Sequence, residues 1–286
     1  MIRRHLSGYA LVLPGVAWLV VFFLIPMYLM FRLSLNSGTV EGGFHFSWDW
    51  ANYKEAFTLY QDQFVRSFYY AGIATVAALA IAYPLAYGIV FHGGRYKYLL
   101  LLLVLAPFLT TYLIRTLAWE TILSDQSPVV RLLSDIGLIP SGQVLGTAGA
   151  VIAGITYNFL PFMVLPLFAS LETIDRRYLE AAQDLYASPS NSFWRITVPL
   201  SAPGIVAGAL LTFIPAVGDY INANFLGGPT NRMIGNVVQG LYLTERNYPL
   251  AASLSFVLMV LITVLVAIYI RFAGSKALMG DDLSEL

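Results

Sequence analysis

The chain has 286 residues, of which 58% are hydrophobic and 11% charged, with a formal net charge of zero and no cysteine. Soluble domains carry roughly 25% charged residues, so this composition excludes a water-covered globule. Neutrality leaves no basic footprint for nucleic acid, and the lack of thiols excludes disulfides and thiolate chemistry.

A helix needs about 20 apolar residues to cross the hydrocarbon core. Such runs fall at about 9–31, 67–91, 98–122, 147–171, 200–226 and 249–272. The first follows Arg3 and Arg4 but outruns a signal h-region and ends in "MFRLSLNSG" without an A-x-A site, so it reads as a retained span. The segment after it, "SGTVEGGFHFSWDWANYKEAF", combines turn residues with Trp48, Trp50 and Tyr53, which suit a membrane interface. The fifth run is interrupted by "PAVGDYINANFLGGP". Backbone polar groups in lipid must be satisfied within the segment, which makes the runs helices. The expected fold is all-α, a polytopic membrane protein of six transmembrane helices. The positive, uncountered "FHGGRYK" between spans two and three, with Arg176 and Arg177 after span four, predicts that both termini are cytoplasmic.

That orientation puts 172–199 in the cytoplasm. Leu179, Ala182 and Leu185 at i, i+3 and i+6 predict one apolar stripe on a short helix, with Glu180 and Asp184 on another face. Ser188 before Pro189 predicts an N-cap opening a second short helix through Arg195. Pro199 and Pro203 then begin span five. The product is a helical elbow with several acids and few bases, unlike an interfacial helix, which carries Lys and Arg on its polar face.

In this elbow Glu180, Ala181 and Ala182, then Ala187, Phe193, Ile196, Pro199, Leu200, Pro203, Gly204 and Ile205, resemble the EAA loop of ABC importer permeases. The likeness extends to "LPFMVLPLFASLETIDRRYLEAAQDL", "VPLSAPGIVAGALLTFIPAVGDY" and "NFLGGPTNRMIGNVVQ", which look like the spermidine/putrescine branch, B-type subunit. The resemblance implies a type I importer permease fold in a bacterial inner membrane. It also implies a homologous second permease, two ATPase subunits that carry ATP and Mg, and an extracytoplasmic solute-binding protein. It assigns ATPase coupling to Glu180, Ala181, Ala182, Asp184, Tyr186, Ala187, Ser188 and Phe193. One position departs from the pattern: Tyr186 stands where the family has glycine. A left-handed backbone there disfavours tyrosine by roughly 1–2 kcal/mol, so either the turn differs or Tyr186 packs on the partner.

No G-x-x-x-x-G-K-[ST] phosphate loop occurs, and His5, His45 and His92 lie in separate segments, so neither a nucleotide site nor a zinc site of the H-E-x-x-H kind is expected. No cofactor is expected in this chain. Charged groups at membrane depth cost about 2.5–3.5 kcal/mol on insertion scales and normally face a cavity or a partner. Asp219, Tyr220, Trp119, Glu120 and Arg115 are therefore the expected substrate-path residues, carboxylates and rings suiting a polycation. The competing roles are an ion pair of Arg115 with Glu120 or Asp219, and belt positions for Trp119 and Tyr220. Another small solute, such as an amino-acid derivative, an opine or a metal complex, is the alternative cargo. A standalone secondary transporter or channel would leave the elbow without a role.

Overall fold

The structure is a computed structural model that describes residues 12–137 and 142–273. The chain divides into two compact units, residues 1–62 with 237–261 and residues 63–236 with 262–286.

The first unit opens with α1 (Val12–Ser34), apolar up to Arg32, exposed over residues 12–26 and fully buried at Ser34, with a π-turn at Val20–Leu24. Residues 1–11, the start of the first predicted span, lie outside the described residues. A small hairpin follows, β1 (Asn36–Thr39) paired antiparallel with β2 (Gly43–Phe46), Asn36 opposite Phe46. It is an addition to the all-helical expectation, made where Gly38 and Gly43 take positive φ. Helix α2 (Ala51–Leu59) is tied back to the end of α1. Asn52 Nδ2 donates to the Ser34 and Asn36 carbonyls at 3.0 Å each, and the Ser34 and Tyr53 hydroxyls bond at 2.6 Å.

The second unit is built around α3 (Gln61–His92) and α7 (Ala148–Glu172). Small residues of α3, Ala78, Ala82 and Ala86, meet Met163, Val164, Leu167 and Leu171 of α7 in a fully buried core. The third predicted span is broken: the segment Gly94–Leu109, containing α4 (Lys97–Leu105), meets α5 (Tyr112–Ile122) at 88°. Pro107 and the extended backbone at Thr110 and Thr111 stop helix propagation there. Helix α6 (Pro128–Asp135), capped by the Ser127 hydroxyl, precedes α7.

The elbow consists of α8 (Arg176–Asp184) and α9 (Pro189–Leu200), which joins α10 (Ala202–Val217) at 63° through Ser201. The fifth predicted run ends as a helix at Val217; Gly218 to Tyr220 break it before α11 (Ile221–Phe225). Then come α12 (Ile234–Leu243) and α13 (Tyr248–Ala273). Among the described residues, four helices are long and apolar enough to cross a membrane, or up to six if each bent pair is one span.

Helices α7 and α10 approach closely because α10 presents glycine at 204 and 208. A Cβ at Gly204 would lie 2.6 Å from the Pro166 carbonyl oxygen, and one at Gly208 2.7 Å from Met163 Sδ. Small residues four apart let apolar helices pack backbone to backbone, where van der Waals contact supplies the association energy in lipid.

Candidate functional site

The elbow is held at both ends. Asp175 caps α8, its carboxylate accepting from the Arg177 amide at 2.9 Å, and Ser188 caps α9 as the S-P pair predicts, accepting from the Asn191 amide at 3.3 Å. Just before it, Glu172 at the end of α7 takes Lys97 Nζ at 2.6 Å and the Tyr98 hydroxyl at 2.9 Å. Helix α9 is seated by Phe193, whose ring stands edge-on to Tyr83 and Tyr87 of α3 at 5.5 and 5.6 Å. The Tyr83 hydroxyl bonds Ser201 Oγ at 2.8 Å, at the joint between α9 and α10. Packed and hydrogen-bonded groups thus connect the elbow to α3 and α10.

Of the predicted coupling residues, Glu180, Ala181, Asp184 and Ser188 are exposed, Ala182 is buried, and Ala187 and Phe193 are half-buried. The apolar stripe is incomplete. Leu179 is half-buried, but Leu185 is 82% exposed because α8 ends beneath it. Tyr186 answers the question its departure raised. It keeps the left-handed backbone, φ +58°, and its side chain is 98% exposed. Two hydrogen bonds impose the turn: the Tyr186 amide donates to the Gln183 carbonyl and the Ala187 amide to the Ala182 carbonyl, both at 2.9 Å. This is a Schellman closure with tyrosine at the position glycine usually takes. Tyr186→Gly is expected to relieve strain of about 1–2 kcal/mol, less about 0.5–1 kcal/mol for glycine's chain entropy. Amide exchange at Ala187 should slow accordingly; exchange that speeds up would show that tyrosine holds the turn by a contact.

The second group of candidates lies around the break after α10. Asp219 is 7% exposed and fully engaged. Its Oδ1 accepts from the Ile221 and Asn222 amides at 2.9 and 3.2 Å, capping α11, and its Oδ2 accepts from the Tyr112 hydroxyl and Asn222 Nδ2, both at 2.6 Å. Asn222 Nδ2 also donates to the Tyr112 hydroxyl at 2.7 Å, and Asn158 Nδ2 donates to Asn222 Oδ1 at 3.0 Å and to Thr116 Oγ1 at 3.2 Å. One buried polar cluster thus links α5, α7 and α11. Beside it, Asn236 Nδ2 donates to the Tyr220 carbonyl at 2.9 Å and a Cβ at Gly235 would sit 2.5 Å from the Gly218 oxygen.

Arg115 makes neither of the ion pairs considered from sequence. Its guanidinium lies over the rings of Phe108 and Tyr112, 5.1 and 5.5 Å from their centroids, and its buried Nε has no partner. Trp119 stands edge-on to Tyr157 at 5.3 Å and packs beside Leu123, Ala150 and Leu226. Glu120 is half-buried, and Tyr220 is 40% exposed. Asp219 and Arg115 are thus gathered around Tyr112, whereas Trp119 belongs to a separate apolar cluster. Tyr112, Thr116, Asn158 and Asn222 went unnoticed in sequence because they are uncharged; asparagine inside an apolar run was the available signal.

With this geometry in view, comparison with known proteins is decisive. The model of the binding-protein-dependent transport system inner membrane component family matches residues 6–275. This chain belongs to that family. A permease relative from Haemophilus influenzae, the spermidine/putrescine transport system permease protein PotB, is 37% identical over 89% of this chain and 90% of its own length. The protein of the same name from Escherichia coli is 35% identical over 90% of this chain and 94% of its own. A solved bacterial ABC transporter involved in the import of the acidic polysaccharide alginate shares the fold, with a TM-score of 0.68 at 19% identity, covering 95% of this chain and 96% of that one. The chain is accordingly an all-α, polytopic transport component of the inner membrane, a permease subunit of the ABC importer type.

Proposed function

We propose that this permease carries polyamines, spermidine or putrescine, delivered by an extracytoplasmic binding protein, and that a separate ATPase drives it through the elbow. The observation that carries the reading is the seating of the elbow on the membrane helices, Phe193 between Tyr83 and Tyr87 with Ser201 bonded to Tyr83. A load on an exposed tip has a direct route to α3 and α10. The working assembly pairs this chain with a homologous permease and two ATPase subunits that hold ATP and Mg, with both termini of this chain in the cytoplasm. The cargo assignment leans on the two relatives' names.

Polyamine ammonium groups need carboxylates and ring faces. The break at 218–220 supports such a contact, with Tyr220 half-exposed beside Asp219, and Trp119 and Glu120 on α5 as further candidates. Asp219 acts chiefly by fixing the break. Arg115, which has no ion pair among the described residues, argues against itself as a lining residue for a polycation and favours the second reading, another small solute bearing a carboxylate.

ATP hydrolysis by the complex that copurifies with the tagged chain, in lipid nanodiscs with its binding protein, separates these readings. Spermidine or putrescine is expected to stimulate hydrolysis. Stimulation by a different solute alone keeps the architecture and discards the cargo, and a chain that retains no ATPase overturns the coupling role.

A further inference from the structure

The bend between α4 and α5 carries a row of rings around one cation. Phe108 stands edge-on to Phe162 at 5.2 Å, Phe162 lies 6.1 Å from Phe159, and Phe159 lies 6.0 Å from Tyr112. Arg115 sets its guanidinium over the first and last rings of this row, Phe108 and Tyr112. The residue is 7% exposed, its buried Nε has no partner, and among the described residues no carboxylate pairs with it. Buried charges are ordinarily paired and buried donors bonded; this one rests on ring faces instead. Behind it, the Tyr112 hydroxyl donates to Asp219 Oδ2 at 2.6 Å. A phenol bonded to a carboxylate is polarised toward the ring, which makes that ring a better seat for positive charge. Phe108 is 39% exposed and Tyr112 and Phe162 are half-buried, so the rings can be reached once the guanidinium is off them.

We propose that these rings are a seat for an alkylammonium group of the substrate, and that Arg115 fills the seat in the absence of substrate as a built-in competitor that the substrate displaces. The inference rests on the reading that the cargo is a polyamine, and it changes the part of Arg115 within that reading: the rings line the path and the guanidinium vacates it. Two features favour a competitor over a receptor for an anion. A guanidinium that binds a carboxylate aims its N–H fork at the ligand, whereas this one lies on two rings. An alkylammonium and a guanidinium also meet a ring face through the same electrostatics, so one replaces the other directly, and Arg115 breaks no ion pair among the described residues in leaving. The seat is thereby occupied between transport cycles, which denies small inorganic cations a resting place at this depth.

The test measures equilibrium binding of radiolabelled spermidine to the assembled complex in lipid nanodiscs, without the binding protein and per mole of complex recovered. Arg115→Gln is expected to bind about tenfold more tightly than the unaltered chain, as follows when a competitor leaves the seat free about a tenth of the time. Arg115→Met, also neutral and unbranched, should do the same and guards against a folding fault peculiar to one variant. Arg115→Lys keeps the charge and should stay near the unaltered value. Adding Phe108→Leu to Arg115→Gln should cancel most of the gain. Unchanged or weaker spermidine binding in both neutral variants overturns the inference, and so does a gain that survives loss of the Phe108 ring. Failure of the cargo reading has a separate signature. Spermidine would then leave ATP hydrolysis by the unaltered complex with its binding protein unstimulated, and a carboxylate-bearing solute would bind the unaltered complex but not Arg115→Gln.

Discussion

Gly204→Leu is expected to remove the protein from the membrane fraction. A Cβ at this position would meet Ser170 Cβ at 2.5 Å, the Pro166 oxygen at 2.6 Å and Leu167 Cα at 3.2 Å. Two of these three atoms are backbone, so no side-chain rotation relieves the clash and α7 and α10 must separate. Overpacking by one or two methylenes already costs about 1–3 kcal/mol in a close-packed interior, and a leucine adds four carbons at a seam where the first of them already lies inside van der Waals contact. Gly204→Ala should show the lower part of that range. Gly208→Ala should be milder, because the nearest atom is Met163 Sδ, at the flexible end of a side chain. Gly88→Ala, with open space around it, is the control and should accumulate normally. The amount of tagged chain in membranes, and its elution as a single species in detergent, gives the ranking. Equal accumulation of Gly204→Leu and Gly88→Ala would mean that the close approach of α7 and α10 does not matter.

The second large effect is expected at Asp219, where two substitutions divide folding from transport. Asp219→Ala strands two backbone amides, Asn222 Nδ2 and the Tyr112 hydroxyl. A buried donor left unsatisfied costs about 1–3 kcal/mol, so four together should deplete the protein from membranes. Asp219→Asn keeps an acceptor for the two amides of α11 but turns an NH2 group toward Tyr112 and Asn222, leaving about one donor unmet. The protein should assemble, with uptake reduced several-fold because the break that presents Tyr220 is displaced. Uptake measured in membranes of equal permease content checks this. Normal uptake by Asp219→Asn would take the carboxylate out of the transport path and leave it a helix cap.

Much of this architecture was legible because the bilayer allows few solutions. Apolar runs of about 20 residues had to be helices, and α1, α3, α7 and α13 lie where those runs lie. The Ser188-Pro189 cap was legible for a local reason, as a hydroxyl three residues before an orphan amide needs no tertiary context. The right-angle turn between α4 and α5 was not. Its only mark in the sequence is Pro107 followed by two threonines, and an internal proline is compatible with an unbroken helix, as Pro161 and Pro166 of α7 demonstrate. The candidate site divides similarly. Asp219 was visible as a charge in an apolar run, but its partner Tyr112, and Asn158 that bonds its neighbour Asn222, come from two other segments that only the fold brings to it. Arg115 reads from sequence as a substrate-path residue, with an ion pair to Glu120 or Asp219 as its competing role, and the described geometry sets its guanidinium over two rings instead of either carboxylate.

The closure at Tyr186 bears on how relatives of this chain are to be found. The turn is enforced by the Gln183 and Ala182 carbonyls, not by the identity of the residue between them. A penalty of about 1–2 kcal/mol is small beside the packing of Phe193 on Tyr83 and Tyr87 that seats α9, so the turn keeps its shape with tyrosine in place. A search that demands glycine at this point passes over this chain, although its backbone keeps the left-handed turn. Substitution here is also free to diversify the exposed tip while the hinge geometry stays constant, which lets duplicated permeases acquire distinct surfaces without rebuilding the membrane part.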